Sequence, residues 1–130
     1  MATSSADCEE MTRAAREGDV RLMIAYRRHF KEANLSTIDL VTSGKIGEPR
    51  FFTSGFSYQV KPENIRTEAR LGGGALWDLG VYCVNAARYL FRDEPVEVMA
   101  MAARRAGDPR FREVPEGWRR CSSRRARAAA

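Results

Sequence analysis

The chain has 130 residues, of which 44% are hydrophobic and 30% are charged, with a formal net charge of +5. This length suits one globular domain, and no apolar run approaches the about 20 residues of a membrane span, so we expect a cytoplasmic protein without a signal peptide. Three widely spaced cysteines and a single histidine, His29, argue against a disulfide framework and against a metal site.

The first 44 residues predict a helix, a strand and a second helix. Ser4 opens a capping pattern before a helix of about ten residues that Gly18 ends. Residues 20–30 contain a short apolar run at 22–26 that is typical of a buried strand. Residues 33–43 then have helical spacing of apolar side chains, and Gly44 follows them.

The rest of the chain predicts strand, loop, helix and strand. Residues 50–58 are rich in aromatic and hydroxyl side chains and favour a strand, whereas residues 59–70 are polar and interrupted by Pro62, as in a loop. Three glycines at 72–74 lead into a helix that reaches Phe91, and residues 96–102 alternate as a second strand does. Residues 104–130 lack such alternation and are expected to be irregular.

The basic residues are concentrated in this last segment. Residues 104–130 hold nine arginines against three acidic residues, a balance of +6, whereas residues 1–103 have a balance of −1. An arginine-rich end can bind nucleic-acid phosphates without sequence preference, but more often it is solvated. Nucleic-acid binding is therefore the least favoured of the functions that we consider.

The helix after the glycines carries the candidate chemistry. Asp78, Tyr82, Asn85 and Tyr89 are four, three and four residues apart, a spacing that puts them on one polar stripe. A carboxylate, a phenol and an amide could together bind a hydroxyl group and transfer its proton. The alternatives are that Asp78 caps the helix and that the tyrosines only pack.

This stretch resembles a known family. Residues 72–82, Gly-Gly-Gly-Ala-Leu-Trp-Asp-Leu-Gly-Val-Tyr, followed by Asn85 and by Glu-Pro-Val-Glu-Val at 94–98, resemble the substrate domain of the glucose-fructose oxidoreductase and inositol dehydrogenase (Gfo/Idh/MocA) family. The resemblance implies an α+β fold, namely a partial glyceraldehyde-phosphate-dehydrogenase-like C-terminal domain whose helices pack on an incomplete, mostly antiparallel sheet. Residues 1–30 would be the last helix and strand of a Rossmann domain, 31–103 part of the substrate and oligomerisation domain, and 104–130 an irregular tail.

The resemblance also implies an activity and its residues. Members oxidise or reduce a CH–OH carbon of a sugar or polyol with NAD or NADP, and Asp78 and Tyr82 match the family's catalytic positions. Because position 82 is Tyr rather than His, the chain more closely resembles the glucose-fructose oxidoreductase branch of the family. By the same resemblance the expected substrate contacts are Arg66, Asn85 and His29, and the residues bordering the cofactor are Tyr26, Arg27 and Trp77. For Arg66 a surface salt bridge, and for His29 an interdomain position, remain open.

Two parts of such an enzyme are not found in the sequence. The family's catalytic lysine belongs to a Glu-Lys-Pro motif that would end just before Met1, and no strand leads into a Gly-x-Gly-x-x-Gly turn that would hold the cofactor phosphates. We therefore expect a fragment with little or no turnover by itself. The alternative is a noncatalytic module that forms homo-oligomers through its sheet face.

Overall fold

The computed structural model describes residues 2–123, and its first element is helix α1 (Ser5–Glu17). The Ser4 hydroxyl accepts a hydrogen bond from the Asp7 N–H at 3.1 Å, which satisfies one of the free donors of the first turn. At the other end the Gly18 N–H donates to the Ala14 carbonyl at 2.9 Å. The predicted helix, its cap and its last residue are confirmed.

Residues 20–30 do not form the strand that the sequence predicts. They have no regular structure up to a turn at 27–30, and Val20, Leu22 and Met23 are exposed. A strand needs a neighbour for its backbone hydrogen bonds, and within residues 2–123 nothing pairs with this segment. The prediction of a strand in this segment, as the last strand of a Rossmann domain, is therefore wrong. The second predicted helix is confirmed as α2 (Glu32–Thr42).

The prediction of a strand at residues 50–58 is also wrong. This stretch is irregular throughout, for the same reason: the described residues offer its backbone no partner strand. The loop predicted at 59–70 is confirmed, and it contains two single turns of 3₁₀-helix, Ile65–Thr67 and Ala69–Leu71. These turns bring the chain to the glycines at 72–74.

The glycines hold this loop against the start of the central helix. The Gly73 N–H donates to the Glu68 carbonyl at 2.9 Å, and the Gly74 N–H donates to the Arg66 carbonyl at 2.8 Å. A Cβ on Gly73 would lie 2.6 Å from the Glu68 carbonyl oxygen, so only glycine allows this approach. The helix begins with a π-helical turn, Leu76–Gly80, and continues as α3 (Val81–Phe91).

The sheet has two antiparallel strands, β1 (Glu97–Ala103) and β2 (Gly117–Ser123), with Met99 opposite Cys121. Strand β1 confirms the strand predicted near 96–102, and helices with an antiparallel sheet confirm the α+β class. The expectation that the segment after residue 103 is irregular is wrong for β2. Its side chains do not alternate, but its backbone pairs with β1, and this pairing is enough to form a strand. Residues 124–130 of that segment lie outside the described residues.

The small core lies beside the glycine loop. Phe111 and Val114, 7% and 4% exposed, are the buried hydrophobic residues of the described part of the chain, and both belong to the link between β1 and β2. The link is tied to the loop by two hydrogen bonds, from the Ala69 N–H to Glu113 Oε2 at 3.0 Å and from Arg110 Nη1 to the Val60 carbonyl at 2.9 Å. Within residues 2–123 no helix has the length and hydropathy of a membrane span.

Candidate functional site

Asp78 lies in the π-helical turn, and its carboxylate does not cap the helix. The Asp78 backbone N–H donates to the Gly74 carbonyl at 3.2 Å, while the side chain accepts hydrogen bonds from two residues of the preceding loop. Arg66 Nε donates to Asp78 Oδ2 at 2.7 Å, and the Tyr58 hydroxyl donates to the same oxygen at 2.5 Å. The alternative of a capping aspartate is therefore not what the structure contains.

These contacts set the ionisation of the two donors. Desolvation, followed by the hydrogen bond to Asp78, raises the pKa of Tyr58 above its ordinary value. The hydrogen bond to Asp78 likewise raises the pKa of the Arg66 guanidinium. Arg66 also bonds to the Asn64 side-chain oxygen through its backbone N–H at 3.1 Å and through Nη1 at 3.3 Å. Both groups thus remain donors to a carboxylate at neutral pH.

Tyr82 lies on α3, four residues after Asp78, and it is half-buried among aromatic rings. Its ring meets that of Tyr26 edge-on with centroids 6.2 Å apart, and the Phe56 ring is at the same centroid distance. The Arg28 guanidinium lies 4.6 Å from the Phe56 centroid and 5.8 Å from that of Tyr82. A cation at these distances is attracted to both ring faces.

One irregular segment contacts both candidate catalytic residues. Phe56 lies beside the ring of Tyr82, and Tyr58 bonds to the carboxylate of Asp78. These two contacts place residues 56 and 58 beside the part of the helix that carries the pair. The structure therefore gives Asp78 and Tyr82 a common neighbour, and neither is sealed in the core, since both are half-buried.

The other candidate substrate residues come from three parts of the chain: His29 from the turn at 27–30, Arg66 from the loop, and Asn85 from α3. The His29 ring stacks on that of Tyr89, with centroids 3.9 Å apart and planes at 28°, and this contact joins the turn at 27–30 to the helix. Asn85 lies between Tyr82 and Tyr89 in sequence and is half-buried. Arg66 forms an ion pair with Asp78, with side chains 39% and 27% exposed, rather than a pair on the open surface.

Of the three residues expected to border a cofactor, one contacts the site and two do not. Tyr26 contacts Tyr82, whereas Arg27 and Trp77 are exposed, and within residues 2–123 neither takes part in the hydrogen bonds or ring contacts of this cluster. A phosphate-binding loop points its N–H groups at the ligand. The N–H groups of Gly73 and Gly74 instead donate to carbonyls of the same loop, so the glycines do not fit the phosphates of a dinucleotide.

Sequence analysis missed Arg28, Phe56 and Tyr58. The aromatic and hydroxyl-rich composition of residues 50–58 was the available signal, because Phe56 and Tyr58 have the spacing of two side chains on one face of an extended segment. For Arg28 no local pattern distinguishes it from its neighbour Arg27. Together the cluster offers a carboxylate that can accept a hydroxyl hydrogen bond and, one turn later, a phenol that can exchange a proton.

The comparisons with known proteins agree on one family. The GFO/IDH/MocA C-terminal domain matches residues 35–118. The chain is 34% identical over 114 residues to a D-xylose 1-dehydrogenase [NADP(+)] of Haloarcula marismortui, covering 83% of this chain and 31% of that one. It is 33% identical over 109 residues to a dTDP-3,4-didehydro-2,6-dideoxy-alpha-D-glucose 3-reductase of Actinomadura kijaniata, covering 83% and 32%.

A solved structure has the same fold. The crystal structure of aldose-aldose oxidoreductase from Caulobacter crescentus complexed with glycerol is similar with a TM-score of 0.81 and 40% identity, covering 92% of this chain and 36% of that one. The chain thus spans about a third of the length of the relatives it matches. The matched domain, the shared fold and these identities establish that the chain belongs to the GFO/IDH/MocA family.

Proposed function

We propose that this chain supplies the substrate-binding and proton-transfer side of an NAD(P)-dependent oxidoreductase that acts on a CH–OH group of a sugar or polyol. The observation that carries the proposal is the pairing of an Asp78 carboxylate, held by Arg66, with the Tyr82 phenol one helical turn later. The relatives support the substrate class, because their names describe a xylose dehydrogenase, a sugar nucleotide reductase and an aldose-aldose oxidoreductase.

Each residue has a separate role in this proposal. Asp78 accepts a hydrogen bond from a substrate hydroxyl and orients the reacting carbon, and Tyr82 donates its phenolic proton to a carbonyl oxygen, or receives the proton of an alcohol in the reverse direction. Asn85 and His29 contact further hydroxyl groups along α3. Arg66 acts through Asp78, since its Nε bonds to that carboxylate.

NAD or NADP would supply or accept the hydride, although the N–H groups of Gly73 and Gly74 do not fit the cofactor phosphates. We propose that residues 1–30 belong to the end of a cofactor-binding domain and residues 31–103 to the substrate domain, with Tyr26, Arg27 and Trp77 near their border. Because Gly73 and Gly74 bind their own loop, the 130-residue chain alone should give little or no turnover. Mixing it with NADP or NAD and a set of aldoses tests this, and brisk change in nicotinamide absorbance would overturn the prediction.

Binding can be tested without turnover. Titration of the isotope-labelled chain with xylitol or D-xylose should shift the amide resonances of Asp78, Tyr82 and Asn85 before those of β1. Asp78→Asn should weaken binding about tenfold, because a hydrogen bond to a charged group is lost. Thr12→Val serves as the control, because it removes a hydroxyl on α1, outside this site. Equal affinity in Asp78→Asn and in the unsubstituted chain would contradict the assignment of the site.

A noncatalytic oligomerisation module is the second candidate. Strand β1 is exposed along its whole length, including Val98, Met99 and Met101 at 51%, 72% and 67%. Apolar strands left open in this way favour pairing with another chain. Analytical ultracentrifugation distinguishes the candidates: a discrete dimer that Met99→Lys dissociates favours the module, whereas a monomer that binds xylitol favours the substrate site.

A further inference from the structure

Tyr58 makes a long-range contact with the candidate catalytic carboxylate. It lies in the irregular segment 51–60 and is 49% exposed, yet its hydroxyl donates to Asp78 Oδ2 at 2.5 Å, across 20 residues of sequence. No element of secondary structure imposes this approach. The contact is therefore made by the side chain itself and not by the local backbone.

The contact is one side of a triangle. Arg66 Nε donates to the same Oδ2 at 2.7 Å, and the Arg66 guanidinium lies 5.5 Å from the centroid of the Tyr58 ring. Each of the three side chains thus contacts the other two. Burial and the bond to Asp78 raise the pKa of Tyr58, which keeps its proton on the phenol, where the hydrogen bond needs it.

Both donors bind one oxygen, and neither uses Oδ1. A carboxylate held at one oxygen by two donors cannot turn about its own axis without breaking both bonds, so the direction of Oδ1 is fixed as well. We propose that Tyr58 is a positioning residue that, with Arg66, clamps Asp78 by Oδ2 and presents Oδ1 to a hydroxyl of the polyol substrate. This inference rests on the proposed function of Asp78.

The competing explanation is that Tyr58 only anchors segment 51–60. The two explanations differ in what the hydroxyl does, because the ring alone can provide packing against Arg66. Tyr58→Phe keeps that ring and removes only the donor. Thr12→Val is the control, since it also removes one hydroxyl, and that hydroxyl bonds to the Cys8 carbonyl within α1, away from Asp78 in sequence and contacts.

The first measurement is a pH titration by NMR, in which a ¹³C label on the carbon that bears the hydroxyl gives a separate signal for each of the four tyrosines. The pKa read from the Tyr58 signal should lie above its ordinary value in the unsubstituted chain, and this displacement should become smaller in Asp78→Asn, where the part due to burial remains. A Tyr58 signal that titrates identically with and without the Asp78 carboxylate would overturn the clamp. The readout needs no ligand, so it is independent of the proposed function.

The second measurement is xylitol affinity of the full chain by amide shifts. Tyr58→Phe should weaken binding about fivefold, since one hydrogen bond that orients the acceptor is lost, whereas Thr12→Val should leave binding unchanged. If the unsubstituted chain binds xylitol and Tyr58→Phe binds it equally, the positioning role fails while the proposed function stands. If the unsubstituted chain binds neither xylitol nor D-xylose, the proposed function fails and the positioning role with it.

Discussion

Gly73 is the position where a single added carbon should disturb the site most. A Cβ there would lie 2.6 Å from the Glu68 carbonyl oxygen and 2.8 Å from that of Arg66. Carbon and oxygen ordinarily approach to about 3.3 Å, so the loop backbone must move by about 0.7 Å. The same carbonyls accept the N–H groups of Gly73 and Gly74, and this movement therefore weakens two hydrogen bonds as well.

We expect Gly73→Ala to lower the free energy of unfolding by about 2–3 kcal/mol, after the steric cost is reduced by the smaller entropy of the unfolded chain. For a chain of this length that corresponds to a fall in Tm of about 10 °C. Urea unfolding followed by circular dichroism measures the change. The displaced loop includes Arg66, so the ion pair with Asp78 should loosen too.

The matched control is Gly55→Ala. A Cβ on Gly55 would meet nothing within 4 Å, so this substitution should be neutral or stabilising by up to about 1 kcal/mol. Gly73→Ala with the same urea midpoint as Gly55→Ala would refute the argument that the glycine loop is held by this close approach.

Three further predictions concern side-chain pairs. The hydrogen bonds from Arg110 lower the pKa of Asp108 to about 2. This carboxylate therefore contributes stability above its unfolded pKa of 3.8, and the contribution is lost as the pH falls towards 2. In Asp108→Asn the urea midpoint should depend less on pH across that range. A double-mutant cycle with Arg66→Gln and Asp78→Asn should give a coupling of about 1 kcal/mol for this partly exposed pair, and a coupling near zero would contradict the ion pair. His29→Ala should cost about 0.5–1 kcal/mol and speed hydrogen exchange at 27–30, because the stack on Tyr89 is lost; unchanged exchange would contradict that contact.

The helices were predictable because their signals are local. The Ser4 cap, the stop at Gly18 and the apolar spacing of residues 33–43 all act within one or two turns. The segments 20–30 and 50–58 were wrongly predicted as strands, because a strand also needs a partner elsewhere in the chain, and local composition does not show whether there is one. Strand β2 shows the converse, since it pairs with β1 although its own side chains do not alternate.

The candidate site divides in the same way. The four-residue spacing of Asp78 and Tyr82 can be read directly from the sequence, since both lie on one helix. The partners that surround them come from 12 and 20 residues away for Asp78, and from the turn before α2 for Tyr82. Nothing in the local pattern near Arg66 or Tyr58 indicates which charge they meet, because that depends on how the loop folds back.

The π-helical turn Leu76–Gly80 makes the geometry of the pair depend on a residue count. The Val81 N–H bonds to the Leu76 carbonyl, five residues back, whereas an α-helical turn closes after four. Removing one residue from this turn, Leu79 or Gly80 for example, would let an ordinary α-helical turn close on the Leu76 carbonyl, and the later side chains would keep their direction because the turn alone absorbs the extra residue. Asp78 and Tyr82 would then be three residues apart instead of four, although neither of them had changed.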